Sequence, residues 1–388
     1  MECPSPPVIA KRLSAGTHPT GSLMFIIHNE VRPVDLYCYF YARFGPPNGI
    51  QNFLRSDDSD NLIHWEWILA YEDAWVVIQG LNFRTLIFIL GKLSMDADDQ
   101  TALVNAFKGD FKNYGREMSD VRNKILEHWI EFVNPYFRLR SAVDQLLAEL
   151  NSLRLEPTAD NLPDLLESTD QDAIQQLWTE TGERYSKGLG ICFGIRSMLP
   201  VMAEAFVNLL LFFLMKDDIK KDQRLRENLI RQPIDIRIKT LHINCKCFDA
   251  PVDYAHEVCK GYHSLVNDRN DLLHGNVVVD KLQFNDLYFN QRVPVFATYR
   301  TMWERTIGVD VSAVGLEQLK TDLRIVEDLI VYVLGCLKPK ARQQMEWLMA
   351  KRDLGLNTKS GGLGILFPSH LVDVMPAPPR VDRSAPSC

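Results

Sequence analysis

The sequence predicts a mainly α protein, in which a helical C-terminal bundle follows an N-terminal α+β domain. Three observations lead there. Leu316, Leu319, Leu323, Val326, Ile330, Val333 and Leu337 alternate spacings of three and four, the seam of a bundle helix. The run "LPVMAEAFVNLLLFFLM" is apolar nearly all round, as a buried helix is. Strand-like stretches rich in Trp, Ile, Val and Phe occur only in the first half. With 388 residues there is room for two domains. The expected layout is a flexible tail over 1–20, an α+β domain over 21–155, a linker over 156–172, a helical domain over 173–350 and a second flexible tail over 351–388.

Taken in order, the Pro- and Ser-bearing start reads as a tail, and "GSLMFIIHN" opens the apolar sequence. "RPVDLYCYFYARF" is a short helix started by Pro33 and broken by "FGPPNG". "NLIHWEWILAYEDAWVVIQGLNFRTLIFIL" is read as strands joined by a turn, with a helix as the other reading of the continuous apolar run at its end. "MDADDQTALVNAF" opens a helix with acids at its positive end. From Leu103 through Phe107, Phe111, Tyr114, Met118, Val121, Ile125 and Trp129 to Phe132, one apolar stripe predicts a long helix or helix pair. Pro135 interrupts it, and "RSAVDQLLAELNSL" continues helically. The acidic "RLEPTADNLPDLLESTDQDA" suits the linker. Beyond it come the apolar helix around Phe206, a charged helix, a helix in "PVDYAHEVCKGYHSLV" and the seam already described.

A net charge of −7 and a pI near 5.8 exclude a global basic field for nucleic acid. Between Lys216 and Lys246, nine Lys and Arg stand against five Asp and Glu, the mixture of a solvated charged helix. Eight scattered cysteines and a start lacking a signal-like apolar core point to reduced thiols in a cytoplasmic protein. Glu204 and Asn208 inside the apolar run are costly in hydrocarbon, so no membrane association is expected.

The chemistry gathers in "VNDRNDLLHGN". Asn267 or Asp268 is a natural helix N-cap and Gly275 a natural stop, leaving about two turns between them. That places Arg269 in a first turn, where free N–H groups favour anions, and His274 about 7.5 Å further along the axis. Cutting RNA without a metal requires a base for the 2′-hydroxyl, an acid for the leaving oxygen and a cation for the phosphorane. Imidazole and guanidinium supply these functions. A five-residue offset turns the two side chains about 140° apart, so one copy makes a poor site, and two copies facing each other a better one. The other reading is structural: Arg269 and Asn270 cap the helix and His274 bonds a carbonyl.

"RNDLLH" resembles the R-x4-6-H signature of HEPN-domain ribonucleases. Glu204 and Asn208 in "AEAFVNLLLFF" are similar to the Glu-x3-Asn helix of several HEPN families. The resemblance covers roughly residues 170–345. It implies a HEPN-like helical bundle and metal-independent RNA cleavage by a homodimer through that domain. It also implies roles: Arg269 holding the phosphate, His274 as general acid or base, Asn270 orienting them, and Glu204 and Asn208 supporting. No cofactor or metal is implied.

"DVRNKILEHW" offers a second Arg122, Asn123 and His128, for which packing or a salt bridge is the plainer role, since the stripe places His128 beside the core. His242, Cys245, Cys247, His256, Cys259 and His263 carry zinc-type ligands, but their spacing matches no familiar zinc pattern. The expected function is a toxin-like or antiviral endoribonuclease whose first half senses a trigger or restrains activity, with RNA and a regulatory or neutralising protein as partners. The alternative is a non-catalytic module binding RNA, a nucleotide or a protein.

Overall fold

Backbone pairing claims the chain from its second residue. In the computed structural model, Glu2 and Ala70 exchange both N–H···O bonds (2.8 and 2.9 Å), and helix α1 (Pro6–Ser14) follows, so Glu2–Ser14 is ordered rather than a flexible tail. All residues are described except 1, 15–21, 51–62, 72–73, 82–83, 92–98, 158–161, 163–170, 278, 280–282, 284–285, 296–300 and 367–388. The protein is mainly α, 61% helical against 16% strand, and the larger sheet is near the N-terminus. Two compact units divide it, Met1–Trp129 with Asn357–Ser360, and Ile130–Leu356 with Gly361–Cys388.

In the first unit, β1 (Ser22–Ile27) is followed by α2 (Pro33–Phe44), whose first turn Pro33 presets as expected. Then come β2 (Trp65–Tyr71), β3 (Ala74–Gly80) and β4 (Thr85–Leu90), an antiparallel meander with β1 added beside β4. Alternate residues, among them Trp67, Leu69, Val76, Ile78, Ile87 and Ile89, bury one face against α2 and against α3 (Gln100–Asp110). The long helical stripe expected from Leu103 to Phe132 is not continuous. It breaks at the Gly115 start of α4 (Gly115–Asp120), passes through a π turn at Val121–Ile125, and becomes strand β5 (Trp129–Val133). Leu103, Phe107, Phe111, Tyr114 and Met118 do pack on the sheet core, whereas Ile125 is exposed.

The second unit begins earlier than the expected boundary near residue 155. α5 (Pro135–Ser152) buries Tyr136, Val143 and Leu150 in the same core as α6 (Gln171–Leu214), so it belongs with the helices. Most of the expected linker lies outside the described residues. Asn134, with no exposed surface, caps α5: its Oδ1 accepts from Tyr136 and Phe137, and its Nδ2 donates to the carbonyls of Leu348 and Lys351. The 44-residue α6 is long and apolar enough to cross a membrane, yet 56% of that apolar stretch is buried inside the fold. Four short helices succeed it: α7 (Asp217–Lys221), α8 (Gln223–Arg231), α9 (Ile234–Lys239) and α10 (Leu241–Asn244).

α11 (Glu257–His274) packs on α6, and a small hairpin, β6 (Tyr288–Asn290) and β7 (Val293–Val295), comes after it. A second π turn, Glu304–Gly308, leads into α12 (Val309–Val314), which is followed by α13 (Leu319–Gly335) and α14 (Pro339–Met349). α13 carries the expected seam: Leu319, Val326, Ile330 and Val333 are buried against α6 and α11. Arg196 of α6 binds Asp322 (2.7 Å) and the Val314 carbonyl, tying α6 to α13. The segment after 351 is not all loose, since β8 (Asp353–Asn357) and β9 (Leu363–Gly364) join β5 in a three-stranded sheet. Leu354 fixes β8 there with no exposed surface.

Candidate functional site

The "RNDLLH" segment is the end of a helix and not a helix of its own. α11 starts ten residues before Asn267, with His256 at its N-cap (Nδ1 accepts from the Val258 N–H, 3.3 Å). Asn267 and Asp268 stay helical because Cys259, Tyr262 and Leu265 keep one side of α11 in the core and leave no reason to break it. Arg269 is therefore not at a free-N–H, anion-attracting end. His274 is the last helical residue and Gly275 the left-handed stop (φ 61°), its N–H bonded to the Asp271 carbonyl. Asn276 closes the end through Asp271 with backbone and side-chain bonds of 3.1 and 3.0 Å.

Seven residues past Tyr262, Arg269 falls on the same inward side of α11. It is half-buried, and its Nε is buried without a hydrogen-bond partner. No carboxylate among the described residues pairs with it. His274 is exposed and without a hydrogen-bond partner among the described residues, and Asn270 is half-buried. Within one chain the Arg and His point to different sides of α11, as the five-residue offset requires.

Glu204 and Asn208, one turn apart on α6, come together on a residue that the sequence reading did not single out. Arg237 of α9, only 5% exposed, donates from Nη1 to Asn208 Oδ1 and from Nη2 to Glu204, leaving its own Nε unpaired. Tyr262 links this cluster to α11. Its hydroxyl donates to the Pro200 carbonyl of α6 (3.1 Å). Burial first, then the Glu204 carboxylate, push its pKa up, while Arg237 and Arg269 pull it down. All three charges thus act on one phenol. Part of the signal for Arg237 was available: a carboxylate and an amide on an apolar helix need a buried donor, and "IDIRIK" offers two cations, Arg237 and Lys239, in an apolar alternation, without showing which one turns inward.

The second trio is dispersed. Arg122 is salt-bridged to Asp35, and Asn123 donates to Ser119 Oγ (3.2 Å). His128 is not on a helix beside the core: it is exposed, Nδ1 lies 3.1 Å from Thr358 Oγ1, and its carbonyl accepts from the Thr358 N–H. The Cys/His set is likewise scattered. Cys245 and Cys259 are buried and Cys247 is exposed, and among the described residues no three His, Cys, Asp or Glu are grouped to hold a metal. No family model, no curated protein and no solved structure matches the chain.

Proposed function

We propose that the second unit is a HEPN-type, metal-independent endoribonuclease acting as a toxin-like or antiviral effector, with Arg269 and His274 as its working pair. The observation that carries this reading is the state of Arg269. A guanidinium with a buried, unpaired Nε is unstable by about 1–3 kcal/mol until something accepts from it. Glu204, whose charge acts with that of Arg269 on the Tyr262 phenol, is already bound by Arg237. Arg269 is thereby kept for an outside anion, and a phosphodiester suits a bidentate guanidinium.

In the proposed reaction, a base removes the 2′-hydroxyl proton as that oxygen attacks phosphorus. The 5′-oxygen leaves as it receives a proton from an acid, giving a 2′,3′-cyclic phosphate and a 5′-hydroxyl. His274 fills one of these roles and its counterpart in a second copy the other. Arg269 neutralises the phosphorane, and Asn270 orients the pair. The exposed apolar residues Val277, Val279, Tyr288, Phe289, Val293 and Val295 directly follow the motif, as an interface for a second copy would. The first unit is then the trigger-sensing or restraining part.

A second reading is a bundle that binds RNA, a nucleotide or a protein without cutting; the net charge of −7 favours a basic protein among these partners. One experiment separates them: a mixed RNA pool with EDTA, incubated with wild type, Arg269→Ala and His274→Ala. Cyclic-phosphate ends from wild type alone support the nuclease. RNA retained by all three without cleavage supports the binding module. Equal cleavage by all three places the site elsewhere.

A further inference from the structure

Between the inner face of the first unit's sheet and its two covering helices lies a cavity of about 160 Å³, walled by Val76, Ile78, Ile87, Ile89, Phe40 and Phe107. Close-packed interiors leave few voids larger than a water molecule. An apolar cavity of about 150 Å³ stays dry and admits a benzene-sized guest. Among the described residues one cation, Arg43, reaches the lining. Its Nη1 is committed to Tyr39 Oη and to Asp110 (3.0 Å), and its guanidinium carbon sits 5.2 Å from the Phe44 ring centre. Nε and Nη2 have no protein partner among the described residues, and the side chain is 40% exposed.

We propose that this cavity is a binding site for a single-ring aromatic carboxylic acid, its ring between helix and sheet and its carboxylate on the free edge of Arg43. The volume sets the size of the guest: it takes one ring and no more. A carboxylate fits better than a phosphate because Asp110, beside Arg43, already balances part of its charge and disfavours a dianion. The guanidinium is held in place by Tyr39, Asp110 and Phe44 before any ligand arrives, so little order has to be created on binding.

The test uses the full chain and benzoate. Thermal unfolding is followed against benzoate concentration, and nuclear Overhauser contacts are sought from the ring protons to the methyls of Ile78, Ile87 and Ile89. The melting temperature rises with ligand, as for any molecule that binds only the folded state. The contacts to those three residues appear in the unmodified protein. Val76→Phe, which fills the space, abolishes both effects. Arg43→Gln weakens benzoate about tenfold or more, the loss of a charge-assisted bond, and leaves benzene binding unchanged. Absence of contacts to the three isoleucines overturns the proposal, whether or not Val76→Phe folds. So does an equal benzoate response in a folded Val76→Phe, or an undiminished one in Arg43→Gln.

Discussion

Replacing Arg237 by Met tests whether Glu204 and Asn208 depend on it. The Arg237 side chain is 6% exposed and that of Glu204 34%. Removing one partner of a fully buried ion pair costs about 3–5 kcal/mol, because the other charge is stranded. Water reaches a third of the Glu204 side chain and recovers part of its solvation, which brings the expectation to about 2–3 kcal/mol. For a unit of this size each kcal/mol lowers Tm by about 2–4 °C, so Arg237→Met melts about 4–12 °C lower. The assay is a double-mutant cycle with Glu204→Leu, followed by urea unfolding. Removing the carboxylate as well relieves the stranded charge, so the double variant is more stable than the sum of the singles by about 1 kcal/mol or more. If the proposed function holds, cleavage follows the same logic. In Arg237→Met the released carboxylate captures Arg269 and cleavage falls, and adding Glu204→Leu restores it. Two effects that add within about 0.5 kcal/mol would refute the coupling, and unrescued cleavage would refute the competition for Arg269.

Two further outcomes follow from buried polar groups. Asn134→Ala removes an N-cap and strands the carbonyls of Leu348 and Lys351, so the urea midpoint reports a loss of about 2–4 kcal/mol; a loss under about 1 kcal/mol would mean those bonds are dispensable. Burial raises the thiol pKa of Cys192 and Cys259 to about 11 and of Cys245 to about 12. Among the described cysteines, iodoacetamide therefore labels exposed Cys247 first in the native protein, and the three buried thiols only on unfolding. Because the folded pKa values are raised, their contribution to stability is complete below the ordinary thiol value and is lost as pH rises through 11 and 12. The urea midpoint accordingly falls with alkaline pH, and a flat profile would contradict the burial of these groups.

Periodicity conveyed type and place well where one partner surface dominates. Pro33 marks the start of α2, enrichment in Trp, Ile, Val and Phe marks β2 to β4, and the seam of α13 is legible because one side of it meets α6 and α11. It failed where spacing alone could not decide continuity. Spacings of three and four ran on through Gly115 and a π turn into β5, since a strand residue and a helix residue can serve the same core. Asn267 and Asp268 resembled a cap, but the stripe from Cys259 to Leu265 outweighed their local preference. Local rules also missed β8 and β9, whose pairing depends on β5, more than two hundred residues away. Of the candidate site, Arg269, His274, Glu204 and Asn208 were legible as residue types. The joining of Glu204 to Asn208 by Arg237 was not, because that contact crosses from one helix to another.

The position of α6 in the chain has a consequence for synthesis. Its apolar residues Phe206, Val207, Leu210 and Leu211 are buried partly by α13, which begins roughly a hundred residues after α6 ends. At about 5–20 residues per second, that face leaves the ribosome some 5–20 s ahead of its cover. α5 is already made and can shield one side. The rest is a sticky surface during every round of translation, and a chaperone that recognises exposed leucine and phenylalanine would find its longest target in this helix.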